Sequence, residues 1–111
     1  MGFNTRKHPG GVLVVEVDGQ LIVGNRQELK QKVLDALEAG SRKFLIDFTK
    51  TGYIDSSGLG LLVAARNSVD KNNGKLHLCG LPPQVKKTFD QTNLTNYFSI
   101  FATEQDALRG A

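Results

Sequence analysis

The sequence lacks any long hydrophobic run. None of its apolar stretches approaches the roughly 20 residues needed to cross a bilayer. The opening segment, MGFNTRKHPGG, has no apolar block of the kind that signal peptides carry, and Arg6 stands where a myristoylation pattern requires Ser or Thr. These absences predict a cytoplasmic protein with no membrane insertion.

Residues that could bind metals or perform catalysis are also scarce. Cys79 is the single cysteine, which excludes an internal disulfide and a thiolate metal site, and its apolar surroundings predict a buried, unreactive thiol. His8 and His77 have no carboxylate partner at helical spacing. Asp47 and Asp55 could hold a divalent ion or orient a nearby serine, but solvated loop acids are the simpler interpretation. We therefore expect no enzyme activity, no metal and no cofactor.

A concentrated basic patch is missing as well. The net charge is +3 over 111 residues, but the basic residues are spread along the chain and most aromatic residues sit in apolar patterns. Nucleic-acid binders usually cluster their positive charge on one surface. The sequence thus predicts no direct nucleic-acid binding. Its 40% hydrophobic and 23% charged residues are typical of a globular protein, and the length suits one domain over residues 1–111.

The hydrophobic pattern predicts an α/β fold. A β-branched run over 12–17, the turn signal Asp18-Gly19 and an apolar return over 21–23 predict an N-terminal hairpin. Asn25 is the expected N-cap of a first helix, and Gly40 its stop. Strands are then expected at 43–48, 75–79 and 99–102, and helices from 59, from 82 and after 103.

This order of elements implies parallel crossovers. We expect a single α/β domain in which a mixed sheet of four to five strands, an N-terminal hairpin followed by alternating helices and strands, is packed with about four helices. Residues 1–10 are expected to form either a flexible arm or an edge strand.

The segment Asp55–Gly60 is the most informative part of the chain. It lies where a strand leads into a helix, and backbone N–H groups in a first helical turn lack intrahelical partners. A phosphate on Ser56 could therefore accept hydrogen bonds from the amides of Ser57, Gly58 and Leu59. The glycines at 58 and 60 would keep side chains away from a docking partner. A purely structural alternative is a helix cap followed by glycines that permit close packing.

The wider context of this segment resembles a known family. The stretch from Lys43 to Leu62, which includes FLIDFTKTGYIDSSGLGLL, is similar to the signature of bacterial anti-sigma factor antagonists, the prototypes of the STAS domain. In that family a strand ending in Asp is followed about eight residues later by Asp-Ser-Ser-Gly-Leu-Gly and a helix. Counterparts of residues 18–21, 78–85 and 89–94 also fall in the expected order.

The resemblance implies that Ser56 is a phosphoacceptor. In such proteins the unphosphorylated form binds an anti-sigma factor that is also a serine kinase of the GHKL type. Phosphorylation ends this binding, and a PP2C-type phosphatase restores it. The residues expected to support the phosphorylation site are Asp55, Ser57, Gly58, Leu59 and Gly60.

The resemblance also suggests where a partner would bind. The expected contact residues are Ile22, Val23, Gly24, Asn25, Ser57 and Leu59. Several antagonists carry an acid where this chain has Ile22, so Ile22 would either make an apolar contact or belong to the core. An alternative function is that of a constitutive STAS subunit in a lipid-transport or larger signalling complex, with no phosphorylation switch. A small phosphotransferase that uses Asp55 or Ser56 is a third hypothesis.

Overall fold

The computed structural model describes residues 2–110, so Met1 and Ala111, the two ends of the predicted domain, lie outside it. Within residues 2–110 the chain forms six strands and four helices. The strands β1 to β6 span Gly2–Lys7, Val12–Leu21, Lys43–Asp47, Thr51–Ile54, Lys75–Cys79 and Ser99–Phe101. The helices α1 to α4 span Arg26–Glu38, Ser56–Lys71, Pro83–Gln91 and Glu104–Arg109. None of these helices has the length and apolar character that a membrane span requires.

The strands form one mixed sheet, which confirms the predicted α/β class. Their order is β1-β2-β3-β5-β6, and β4 pairs with β2 outside this path. Only the pairing of β1 with β2 is antiparallel among the strand pairs of residues 2–110. The parallel pairs follow from the crossover helices between successive strands. The described sheet has six strands instead of the four to five expected. The predicted strand at 12–17 continues as far as Leu21 to form β2, and β1 and β4 are added.

The predicted hairpin over 12–23 is wrong. Gly19 has a positive φ of 109°, as a turn glycine would, but β2 continues through it to Leu21. At this glycine the pairing register shifts, and β2 leaves β3 to pair with β4. The hairpin is formed instead by β1 and β2, with a turn closed by the bond from His8 N to Val12 O. Residues 2–7 are therefore an edge strand.

Helices α1 to α3 cover one face of the sheet and enclose the main core. The buried face of α1 is an apolar stripe at four-residue spacing, formed by Leu29, Val33 and Leu37. Phe48 and Phe89 pack edge to face with ring centroids 6.4 Å apart. This arrangement places the first turn of α2 next to the C-terminal end of β2, which positions the candidate site.

The short helix α4 lies on the opposite face, over a smaller cluster that includes Cys79. Thr103 Oγ1 accepts from Asp106 N and so caps the start of this helix, which lies after 103 as predicted. Glu104 forms an ion pair with Arg6 of β1, and this contact lowers the pKa of Glu104. Cys79 is buried, as expected, and burial raises the pKa of its thiol to about 12.

Candidate functional site

Helix α2 begins at Ser56, three residues before the point indicated by the apolar periodicity. The cause is Asp55, whose backbone is extended and whose Oδ1 accepts from Gly58 N at 2.7 Å. Its carbonyl oxygen accepts from Leu59 N at 3.1 Å. The first bond satisfies an amide that a helix start leaves without a partner, and the second is the first regular hydrogen bond of the helix. Ser56 is thereby held as the first helical residue, and it is exposed to solvent.

The loop of residues 22–25 is tied to the same carboxylate. Asp55 Oδ2 accepts from Val23 N at 3.1 Å. The loop is closed internally by Asn25, whose Oδ1 accepts from Ile22 N and whose Nδ2 donates to Gln20 O, both at 2.8 Å. Asn25 precedes α1 as predicted, but its side chain bonds the loop rather than the first turn of that helix. One aspartate therefore holds two segments that are about 30 positions apart in the sequence.

These segments create one continuous surface, which we call the docking surface: residues 22–25 together with Ser56 and Ser57. Val23 is 63% exposed and gives this surface an apolar side chain in contact with solvent. Gly24 is exposed, whereas Ile22, Asn25 and Ser57 are half-buried. The docking surface offers a hydroxyl to solvent beside an apolar side chain. Chemically, it can accept a phosphoryl group and can contact another protein.

Leu59, an expected contact residue, and Gly58, which was expected to support the phosphorylation site, are both buried. Leu59 is only 3% exposed and packs in the main core, so the expectation that it contacts a partner is wrong. Gly58 is also buried, and a Cβ added there would lie 2.4 Å from Leu21 O. Its missing side chain lets α2 approach β2, rather than clearing space for a partner. Gly60 is exposed with open space around it, as the sequence suggested.

The expectation that the amides of Ser57, Gly58 and Leu59 are all free to bind a phosphate is wrong. The amides of Gly58 and Leu59 already donate to Asp55. Among the residues the structure describes, the amides of Ser56 and Ser57 have no acceptor. A phosphate on Ser56 would therefore find two unpaired amides at the helix start, one of them its own.

The two aspartates considered for a metal site have separate roles. Asp47 is only 6% exposed, so it is not a solvated loop acid. Its Oδ1 accepts from Thr49 N at 2.9 Å and from Thr49 Oγ1 at 2.6 Å. Asp55 uses its oxygens on Gly58 and Val23 instead. Across residues 2–110 no three His, Cys, Asp or Glu side chains come together as metal ligands.

Sequence reasoning missed two residues next to this surface. The guanidinium of Arg26 reaches the first turn of α2, with Nη1 at 3.5 Å from Ser57 O. Tyr53 is 58% exposed on β4, two residues before Asp55. No local pattern could identify Arg26, because its neighbour lies 31 positions later in the chain. For Tyr53 the sequence did offer a signal, since an aromatic residue stands two positions before Asp55.

The family can be decided by comparison with known proteins. The STAS domain model matches residues 4–107. The chain belongs to the STAS domain family. It is 27% identical over 86 residues to the anti-sigma-B factor antagonist of Staphylococcus aureus, covering 78% of this chain and 80% of that protein.

Solved structures agree on the fold. The crystal structure of an anti-sigma factor antagonist from Mycobacterium paratuberculosis has a TM-score of 0.86 at 24% identity, covering 97% of this chain and 91% of that one. The Bacillus cell fate determinant SpoIIAA in its phosphorylated form has a TM-score of 0.76 at 22% identity, covering 97% of both chains. A sulfate transporter family protein from Wolinella succinogenes also matches, with a TM-score of 0.80 at 21% identity, covering 94% and 87%. The same fold thus occurs in regulators and in transporter proteins.

Proposed function

We propose that this protein is an anti-sigma factor antagonist switched by phosphorylation of Ser56. In its unphosphorylated form it binds an anti-sigma factor that is also a serine kinase of the GHKL type. Phosphorylation of Ser56 by that kinase releases the complex, and a PP2C-type phosphatase restores binding. The output is regulation of transcription by partner switching in the cytoplasm of a bacterium. The antagonist itself acts as a substrate and ligand, with no catalysis, no cofactor and no direct contact with nucleic acid.

The position of Ser56 is the observation that carries this proposal. Its side chain is exposed at the first residue of α2, so a kinase can reach the hydroxyl without unfolding the helix. Asp55 fixes that helix start and the neighbouring loop at the same time. A modification at Ser56 therefore lies within the docking surface itself.

The added charge explains why modification would end binding. A phosphoserine brings about −1.5 to −2 charges and three strong acceptor oxygens. Beside the exposed, apolar Val23, such a group would have to lose its hydration when a partner covers the surface. Mismatched charge at an interface costs several kcal/mol. We expect phosphorylation to weaken partner binding at least about 100-fold, which corresponds to about 3 kcal/mol.

Mass spectrometry on protein purified from its native cells tests the modification. Intact and peptide masses are measured across growth and stress conditions. A phosphate on Ser56 in part of the molecules is the expected result. Unmodified Ser56 in every condition would contradict the switch.

Substitutions test the consequence for binding. Ser56→Ala, Ser56→Asp and the matched control Ser68→Ala, which lies on the same helix but outside the docking surface, are used as bait to recover partners from the native cells. Affinities for the recovered kinase are then measured by calorimetry. We expect Ser56→Ala to bind constitutively, Ser56→Asp to bind weakly, and Ser68→Ala to behave like the parent. If Ser56→Asp bound as tightly as Ser56→Ala, charge at this position would not control the complex.

A second candidate function is that of a constitutive subunit of a lipid-transport or larger signalling assembly. The similarity in fold to the sulfate transporter family protein of Wolinella succinogenes supports this alternative. In that case the protein would co-purify with a membrane complex or large assembly, and neither substitution of Ser56 would change the assembly.

A further inference from the structure

We infer that Arg26 is the residue that binds the phosphoryl group on Ser56, so that phosphorylation closes a contact between α1 and α2. This inference rests on the proposed function, because it concerns what happens after Ser56 is modified. Arg26 would be a positioning residue within the switch, holding the phosphate at the surface of the antagonist.

The first argument is position. Arg26 is the first residue of α1, and its Nη1 lies 3.5 Å from Ser57 O in the first turn of α2. Ser56 and Ser57 are consecutive, so their Cα atoms are about 3.8 Å apart. A phosphoryl group extends the Ser56 side chain further into solvent. Arg26 is half-buried, and its long side chain already reaches this turn, so we infer that a rotation of that side chain can bring the guanidinium to the phosphate oxygens.

The second argument is that this guanidinium has no acid to bind in the unmodified protein. Within residues 2–110, the ion pairs involve other basic side chains, and none joins Arg26 to a carboxylate. Its contact with Ser57 O is long for a hydrogen bond to a neutral carbonyl. A cation beside the first turn of a helix also opposes the helix dipole. A phosphate on Ser56 would offset the unfavourable interaction with the helix dipole and would give the Arg26 guanidinium an anion to bind.

The third argument concerns Asp55. Its carboxylate is adjacent to Ser56 and is held by the amides of Gly58 and Val23, so it stays in place when the phosphate is added. Two like charges side by side are unfavourable unless a cation is near. Arg26 can supply that cation, and its planar fork can bind two phosphate oxygens simultaneously.

The test measures the ionisation of the phosphate directly. Phosphoserine is incorporated at position 56 during translation, which makes the experiment independent of any kinase. The second pKa of the phosphate is followed by phosphorus NMR in three proteins: the parent, Arg26→Gln and the matched control Lys32→Gln, which removes the same charge from another position of α1. Asp55 raises this pKa and Arg26 lowers it, so the comparison isolates the contribution of Arg26.

We expect Arg26→Gln to raise the phosphate pKa by about one unit, and Lys32→Gln to leave it close to that of the parent. Arg26→Lys keeps the charge but loses the planar fork, so its value should lie between those of the parent and Arg26→Gln. It also serves as the second measurement if Arg26→Gln proves unstable. Equal pKa values in Arg26→Gln and Lys32→Gln would overturn the inference. A lack of phosphate on Ser56 in native cells would instead overturn the proposed function and leave this titration unaffected.

Discussion

The two glycines of the α2 start provide a sharp test of how the site is built. Gly58 and Gly60 both lie inside the same helix, two positions apart. A Cβ at position 58 would lie 2.4 Å from Leu21 O and 3.0 Å from Ile54 Cγ1. A Cβ at position 60 would have nothing within 4 Å. Alanine at the two positions therefore has the same effect on helix propensity, but it creates a steric clash only at position 58.

The magnitudes follow from these distances. Replacing glycine by alanine inside a helix stabilises it by about 1 kcal/mol. At position 58 the added carbon is about 1 Å inside ordinary contact distance, and overpacking of this kind costs about 1–3 kcal/mol. Moving α2 away from Leu21 would also stretch the bond from Asp55 N to Leu21 O, now 3.2 Å, and disturb the cap, at about 1 kcal/mol more. The net change is a loss of about 1–3 kcal/mol for Gly58→Ala and a gain of up to about 1 kcal/mol for Gly60→Ala.

Thermal unfolding followed by circular dichroism measures the difference. For a domain of this size 1 kcal/mol corresponds to about 4 °C, so we expect Tm to fall by about 4–12 °C in Gly58→Ala and to rise by up to about 4 °C in Gly60→Ala. If Gly58→Ala were as stable as Gly60→Ala, the close approach of α2 to β2 would be wrong, and with it the explanation for Gly58.

Two further predictions concern the cap and the ion pair at the opposite face. Asp55→Ala should lower the free energy of unfolding by about 1–2 kcal/mol in urea titrations, because it removes the hydrogen bonds to both the helix and the loop. The control Asp70→Ala breaks only an exposed ion pair on the same helix and should cost under about 1 kcal/mol. Equal losses in the two variants would refute the tethering role of Asp55. Arg6 lowers the pKa of Glu104 from 4.5, so their ion pair stabilises the fold above that pH and is lost as the pH falls through the folded pKa. The difference in unfolding free energy between the parent and Glu104→Gln should therefore shrink below pH 4.5. A difference that stays constant with pH would contradict the pairing.

Much of the fold could be predicted from local patterns. The stripe Leu29, Val33 and Leu37 on α1 and the buried pair Val85 and Phe89 on α3 are periodic in the sequence and buried in the structure. Such elements depend mainly on their own residues facing one core. The mixed sheet followed from the alternation of helices and strands.

The strand β4 could not be predicted in the same way. Its four residues, from Thr51 to Ile54, have no alternation long enough to identify a strand. They form a strand because β2 extends past Gly19 and supplies the pairing partner. This extension could not be predicted, because Asp18-Gly19 is typical of a turn and Gly19 has the positive φ of a turn residue. Both features are consequences of one long-range pairing that neither segment reveals alone.

The candidate site, too, could be predicted only where it depends on local sequence. Ser56 could be placed at a helix start from its local motif. The burial of Leu59 and the approach of Arg26 could not, because the first depends on the depth at which α2 packs and the second on a contact between different helices. Local sequence indicated where the chemistry lies, and tertiary packing decides which neighbours take part.

The way the loop of residues 22–25 is fastened has a consequence for evolution. Asp55 holds the backbone amide of Val23, and the side chain of Asn25 holds backbone groups of Ile22 and Gln20. The side chains of residues 22–24 carry none of these bonds, so they can mutate while the loop keeps its shape. Duplicated copies of such a gene could therefore acquire different interaction partners through residues 22–24, while the backbone of the loop and the start of the neighbouring helix stay the same.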